Sequence, residues 1–321
     1  MKISIVIPTL GNLKNLYRLL DSLFKQRTET DPVEILVVVN GMDKQESIAE
    51  LKGLLIVKYE FLKLFFITEK GVNFARNLGL AKSLGEVILF LDDDCQLPDV
   101  FFLKHHIDFH IKNPGVFAVG GGYCLPDSVE IFDRIYNEIQ MRWFFSGISG
   151  DADAGSTQYL LGGNFSIKSS VAKFQNLNFD EQITYGGSEF EFFKKAVSLN
   201  LVLVATEFEV MHHTHESLSG LTIKLFKQGR GKAHIDRKYP VSHSKASTAL
   251  NTIQSSSINR FLRYYFNYVF WLGYYQFQNN FKGFCLHVVK DFFNGLNSLR
   301  FQTVSKITEQ IRSKKEKGDR F

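Results

Sequence analysis

Clustered cysteines and proline-rich stretches are missing from this sequence, and no secretory leader is expected. Its 321 residues hold only Cys95, Cys124 and Cys285. They are unclustered and odd in number, which excludes a disulfide framework and offers no zinc spacing. Six prolines with 45% hydrophobic and 22% charged residues exclude collagen-like and disordered scaffolds. A chain of this length can bury a full core without staples. Lys2 is followed by only Ile3–Ile7 before Pro8, too short for the apolar region of a secretory leader, so a cytoplasmic location is expected. No internal repeat is visible.

Aromatic residues are abundant, with 31 Phe, 12 Tyr and 2 Trp, and the charge is unevenly spread. The formal net charge of +5 averages two unlike parts. Residues 1–244 carry 26 Lys/Arg against 29 Asp/Glu, and residues 245–321 carry 12 against 4. A slightly acidic body therefore precedes a basic, aromatic tail, and such a tail points to an anionic surface.

Short apolar runs alternate with helical patterns in the body. Ile3–Ile7, Glu34–Val39 and Val87–Leu91 are continuous apolar strands. Leu13, Leu16, Leu19 and Leu23 recur at helical spacing, and helices are expected around Lys44–Lys52 and Phe74–Ser83. Leu54–Ile67 is a largely apolar stretch between them. Strands without polar alternation signal a mostly parallel sheet covered by helices on both faces. Ligands bind beyond the carboxyl ends of such strands. Here those ends are Pro8–Asn12, Asn40–Asp43 and Asp92–Asp94, all polar.

The three adjacent aspartates repel one another and need compensation. Hard oxygen ligands suit Mg²⁺ or Mn²⁺ with phosphate oxygens completing the shell; a solvated acidic turn or helix cap is the other reading. The neighbouring motifs weigh on that choice. Ile5–Thr9, Glu34–Gly41, Lys70–Gly79 (KGVNFARNLG), Asp92–Asp94, Leu161–Ser166 (LGGNFS), Phe179–Glu181 with Gly187–Glu191, and His213–Ser217 follow one another in a fixed order. Together they resemble glycosyltransferase family 2, the inverting nucleotide-sugar transferases, over about residues 2–235. The resemblance implies a GT-A fold: α/β, with a Rossmann-like, mostly parallel central sheet flanked by helices.

By that resemblance Pro8, Thr9, Asn40 and Asp43 border the base and ribose of the donor, and Asp93 contacts the ribose. Val39 stands where the family often has an acid. Asp92 and Asp94 hold Mn²⁺ or Mg²⁺, with His213 and His215 as further metal or phosphate contacts. Arg76 neutralises diphosphate, or pairs on the surface with Glu69 or Glu86. Gly163 and Asn164 line the acceptor side. Glu189 matches the family's base and Ser188 replaces the acid before it, so either Glu189 or Glu191 serves as base, unless both merely cap a helix over Glu189–Leu199. Leu225–Lys232, with Arg230 among its glycines, resembles a basic lid over the diphosphate; a helix end with a glycine cap is the alternative. The implied activity is metal-dependent transfer of a sugar from a nucleotide-sugar donor, UDP favoured and GDP or dTDP possible, to a glycan or lipid-linked acceptor. A nucleotidyltransferase of similar fold would need a glycine-rich phosphate loop with Lys or Arg after the first strand, which PTLGNL lacks. A non-catalytic nucleotide-binding or membrane adaptor is the remaining alternative, favoured only by Ser188 and Val39.

Residues 1–240 are expected to form the catalytic domain, 241–257 a Ser/Thr-rich linker, and 258–321 a helical, aromatic C-terminal extension. Residues 261–293 hold 14 aromatics, and the window Phe261–Phe277 contains Arg263, Asn267 and Gln276. It is shorter than the roughly 20 residues a span needs. An amphipathic helical hairpin lying on the inner face of the cell membrane is expected, aided by Lys306, Arg312, Lys314, Lys315 and Lys317. Packing on the domain or a homo-oligomer contact is the alternative, and no nucleic-acid partner is expected.

Overall fold

The computed structural model describes residues 1–26, 33–59, 62–148, 156–184, 186–239 and 257–288. The expected linker, but for Ser257, and the basic residues from Lys306 to Lys317 lie outside them. The chain opens with β1 (Ile3–Thr9), α1 (Leu13–Leu23), β2 (Val33–Asn40), α2 (Gln45–Lys58), β3 (Leu62–Ile67), α3 (Val72–Lys82) and β4 (Val87–Leu91). It continues through β5 (Cys95–Gln96), α4 (Phe102–Lys112), β6 (Val116–Gly120), β7 (Tyr123–Cys124), α5 (Ile131–Ser146), β8 (Asn164–Lys168), α6 (Ser169–Phe174) and α7 (Ser188–Ser198). The last elements are β9 (Val202–Ala205), β10 (Val210–His212), α8 (Leu218–Lys238) and α9 (Ser257–Phe277).

Seven strands form the central sheet in the order β3-β2-β1-β4-β8-β6-β9. The first four are parallel, β8 runs antiparallel between β4 and β6, and β9 pairs parallel with β6. Every residue of β1 and β4 is buried, which is why neither strand alternates polar with apolar residues. A small sheet, β5-β10-β7, stands beyond the aspartates that follow β4. The fold is thus α/β with a mostly parallel sheet, as expected.

Local chemistry explains the element ends that matter for a site. Asn12 caps α1 by accepting from the Asn15 amide, and Ser217 caps α8 by accepting from Gly220. Gly186 and Gly187 take φ of +41° and +90°, letting the chain turn sharply into α7. The expected helix over Lys44–Lys52 extends to Lys58, because Leu51 and Leu55 share one buried face, and β3 begins only at Leu62. A continuous apolar run cannot by itself divide helix from strand.

The C-terminal part is helical. α5, α8 and α9 share a second core of Ile135, Tyr136, Leu221, Leu225 and Phe266. α8 and α9 run side by side in the same direction, from Thr222 against Tyr265 to Arg237 against Phe277. Their backbones cross at glycines: a Cβ on Gly229 would lie 1.9 Å from the Phe270 carbonyl oxygen, and one on Gly273 would lie 2.0 Å from that of Phe226. The Leu225–Lys232 segment is therefore helix interior, its Gly229 needed for helix–helix approach, and it is not a glycine lid. After α9 the chain turns at Asn279, φ +52°, and a helical segment 281–288 folds back so that His287 packs on Trp271.

Candidate active site at the carboxyl ends of the strands

A cleft of about 1100 Å³ opens where β1, β2 and β4 end. One wall comes from Pro8–Asn12, Asn40 and Lys70–Val72, the floor from Arg76 and Asp92–Asp94, and the far wall from Gly162, Gly186–Glu189 and α8. The strand ends, two helix N-termini and the α7 turn thus converge from distant sequence.

On the β1–β2 side, Thr9 Oγ1 donates to Asp93 Oδ2 at 2.5 Å. Asn40 joins the loops, donating to the Thr9 carbonyl at 2.8 Å and accepting from the Gly71 amide at 3.0 Å. Burial raises the Asp93 carboxyl to about 7, with the Thr9 hydrogen bond opposing and Asp94 and Asp92 adding to the rise. Asp43 is exposed beyond β2 and does not reach the cleft.

Arg76 lies beneath the cleft, buried near the start of α3. Its Nη2 donates to Asp92 Oδ1 and to the Gly162 carbonyl, both at 2.9 Å, and Nη1 donates to Ser188 Oγ at 3.2 Å. The surface pairing weighed from the sequence is not seen: among the described residues Arg76 is buried and pairs with Asp92, not with Glu69 or Glu86. Gly163 backs onto Asp92 and donates its amide to Tyr123 at 2.8 Å, while Asn164 donates to the Gly122 and Phe208 carbonyls. These two residues sit behind the aspartates rather than on the cleft surface.

Asp94 meets a histidine, but not the one the motif spacing pointed to. His212 Nε2 lies 3.3 Å from Asp94 Oδ1, and its ring packs on Tyr123 at 4.4 Å. Burial alone would lower the His212 pKa, yet the charge of Asp94 raises it overall; the same pairing overcomes burial and keeps Asp94 low. His213 instead bonds Gln96 at 2.8 Å, and His215 is exposed. Strand alternation explains the difference, since Val210 and His212 of β10 point inward together.

The glutamates of α7 part in the same way. Glu189 faces the cleft, its carboxylate beside Gly162 and Ser188, and burial raises its pKa despite the opposing charge of Arg76. Glu191 is turned away, holding Lys238 at 2.8 Å and the Tyr239 hydroxyl at 2.7 Å. It ties α7 to the end of α8. Arg230 likewise faces α9, lying 5.9 Å over the Phe277 ring.

Several residues were not singled out by the sequence reading: Tyr123, Tyr136, Gln140, Lys224, Lys227 and Gln228 line the cleft, and His212 lies behind Asp94. Lys224, Lys227 and Gln228 are spaced at i, i+3 and i+4, a helical face that a lid reading of the segment conceals. Lys224 is ion-paired with Glu216 and lies over the Tyr136 ring, and Lys227 is exposed at the rim.

The donor set fits a hard divalent cation. Among the described residues no three His, Cys, Asp or Glu side chains close around a metal by themselves. Asp92 and Asp94 offer carboxylate oxygens to an open cleft, with Asp94 Oδ1 paired to His212 behind it. Mg²⁺ and Mn²⁺ suit such a partial carboxylate set, because they retain positions for water and phosphate.

The chain matches the model described as glycosyl transferase family 2 over residues 4–173. It is 30% identical over 146 residues to a protein named "Glycosyltransferase AglE" of Haloferax volcanii, covering 44% of this chain and 46% of that one. A protein of Rickettsia bellii named "Uncharacterized glycosyltransferase" is 31% identical over 120 residues, 36% of this chain and 16% of the relative. The matches thus span less than half of either relative. Among solved structures, the mannosyltransferase PcManGT from Pyrobaculum calidifontis, in complex with GDP-Man and Mn²⁺, has a TM-score of 0.55 at 14% identity. That likeness covers 86% of this chain and 72% of PcManGT. S. aureus TarS 1–349 in complex with UDP-GlcNAc gives 0.53 at 18% identity, over 84% and 72% of the two chains. At these identities the likeness is one of fold.

Proposed function

The chain belongs to glycosyl transferase family 2 and is a glycosyltransferase, and on that premise we propose a metal-dependent, inverting transfer of a sugar from a nucleotide-sugar donor to an acceptor hydroxyl. The observation that carries this reading is half-buried Glu189 facing Asp92 across one cleft, with Arg76 between them. Asp92 and Asp94 would hold Mn²⁺ or Mg²⁺, with His212 behind Asp94. When bound, the cation supplies charge neutralisation for the departing diphosphate.

The remaining chemistry falls to the chain's own side chains. Thr9 and Asp93 border the nucleoside, and Arg76 fixes Asp92 while adding a permanent positive charge under the cleft. Lys70 and Lys227 add cations at the rim. Glu189 takes the proton of the acceptor hydroxyl, and the oxygen attacks the anomeric carbon from the face opposite the diphosphate. The bond from that carbon to the diphosphate oxygen breaks, and the nucleoside diphosphate leaves with the electron pair. A single displacement inverts the centre. Burial of Glu189 serves this role, because a raised pKa strengthens the base. The acceptor belongs to surface-polysaccharide or glycolipid synthesis in this reading.

The test is turnover of nucleotide-sugar donors with Mn²⁺ by the full chain and by Asp94→Ala and Glu189→Gln. Loss of turnover in both, with an inverted anomeric product by NMR, supports the proposal. Unchanged turnover in both, or a retained configuration, refutes it.

A further inference from the structure

One face of the C-terminal helices remains uncovered by the fold. α9 turns Phe266, Val269, Phe270 and Gly273 toward α5 and α8. Beside that packed side it carries Phe261, Leu272 and Gln276, all exposed, at spacings that keep them on one helical face, with Tyr265 at the border where its hydroxyl meets Thr222 of α8. Phe261 is 70% exposed, and the returning segment 281–288 adds Phe281 at 71% and Leu286 at 62% beside exposed Lys282.

Charge narrows what such a face can meet. From Arg237 to Lys290 the sequence contains no Asp or Glu, and among the described residues of α9 and segment 281–288 the exposed charge is Lys282. The acids nearest α9 are directed inward, Asp236 to Lys232 and Tyr274, and Glu138 to Arg263. A second copy docking through the same face would bring like charges together, whereas an anionic surface would attract it. Tyr and Trp favour the boundary between lipid and water, and Phe and Leu favour the acyl side. Among the described residues no helix is long and apolar enough to cross a bilayer.

We infer that the outer face of α9, with segment 281–288, docks on an anionic lipid bilayer, lying in the headgroup region without spanning it. The close Gly229–Gly273 crossing ties α9 to α8, so docking of α9 holds α8 beside the lipid surface. Lys224, Lys227 and Gln228 project from α8 into the cleft. The surface itself does not depend on the transferase reading; the consequence that an acceptor anchored in the same bilayer reaches the cleft along α8 does.

Co-sedimentation of the full chain with phosphatidylcholine vesicles, with and without phosphatidylglycerol, tests the inference. The comparison is a combined Phe261→Ser, Leu272→Ser, Phe281→Ser and Leu286→Ser variant. All four side chains are exposed, so the fold should survive, and an unchanged thermal shift with a nucleoside diphosphate and Mn²⁺ checks that it has. The expected result is binding to the anionic vesicles that weakens at high salt and falls at least about ten-fold in the variant. No binding by the parent chain, or equal binding by the variant, overturns it. A dimer that the variant dissolves, without vesicle binding, also overturns it, in favour of self-association. Failure of the transferase reading would appear in donor turnover, with vesicle binding unaffected.

Discussion

Mild acid should weaken this fold at one identifiable place in the central sheet. His106 and His110, one turn apart on α4, both direct a ring nitrogen at Ser166 of β8. Nδ1 of His106 lies 2.8 Å from Ser166 Oγ, and Nε2 of His110 lies 2.9 Å from it. The hydroxyl can donate to one ring and accept from the other, so both rings are accommodated while neutral. The two side chains are 0% and 1% exposed. Burial, with the charges of His110 and His105 adding to it, lowers the His106 pKa to about 3. Burial and then Lys168 lower that of His110 to about 4. In the unfolded chain both titrate near 6.5. Below that pH the unfolded state takes up protons that the folded state refuses, so the stabilisation is full above about pH 6.5 and is lost as pH falls toward 4. At pH 5 the deficit is about 2 kcal/mol per ring and about 4 kcal/mol for the pair, a large share of the roughly 5–15 kcal/mol typical of a domain.

Urea unfolding at pH 7 and pH 5 measures this loss. The comparison is His106→Asn with His110→Gln, whose amide groups can occupy the positions of Nδ1 and Nε2 without titrating. The other titrating groups, including His212 and Asp94, are common to both chains and cancel in the difference. The double variant should lose about 4 kcal/mol less than the parent between the two pH values. Equal losses in both chains would refute the argument, whatever the variant's stability at pH 7.

Three further outcomes follow from the site and its supports. The acid limb of the pH–rate profile should lie above the ordinary glutamate range, since burial raises Glu189; a limb at or below that range would remove Glu189 as base. His212→Ala should lose most of the thermal shift given by Mn²⁺ with a nucleoside diphosphate, whereas His215→Ala should keep it, because only His212 reaches Asp94. Gly273→Leu should displace α9 from α8, since even a Cβ there would lie 2.0 Å from the Phe226 carbonyl oxygen. Trp143 and Trp271, the chain's only tryptophans, both sit at α9, so a red-shifted emission reports that displacement.

The architecture was legible because hydrophobic pattern is a local property. β1, β2 and β4 are apolar on both faces, and that alone required a sheet covered on two sides. The polar strand ends then placed a site before any motif was considered. Arg76, the aspartates and Glu189 were legible through motif resemblance, and they do meet at one cleft. The glycines of α8 were misread because a glycine is equally compatible with a hinge and with a close helix crossing, and only the partner helix distinguishes them. The insertion of β8 antiparallel between β4 and β6 had no local signature, since pairing depends on which strands are free when the chain returns.

The sequence alone therefore determined the α/β layering, the carboxyl-end location of the site and the division between an acidic body and a basic, aromatic tail. Tertiary structure decided between two like neighbours: His212 rather than His213 meets the Asp94 carboxylate, and Glu189 rather than Glu191 faces the cleft. It also turned Arg230 away while bringing Lys224 and Lys227 in. Rotation about a strand or helix axis moves neighbouring side chains to different faces, and long-range packing sets that rotation. The motif places a functional residue to within a position or two along the chain. The strand pairing at β10 and the Lys238–Glu191 contact between α7 and α8 select which side chain meets Asp94 or faces the cleft.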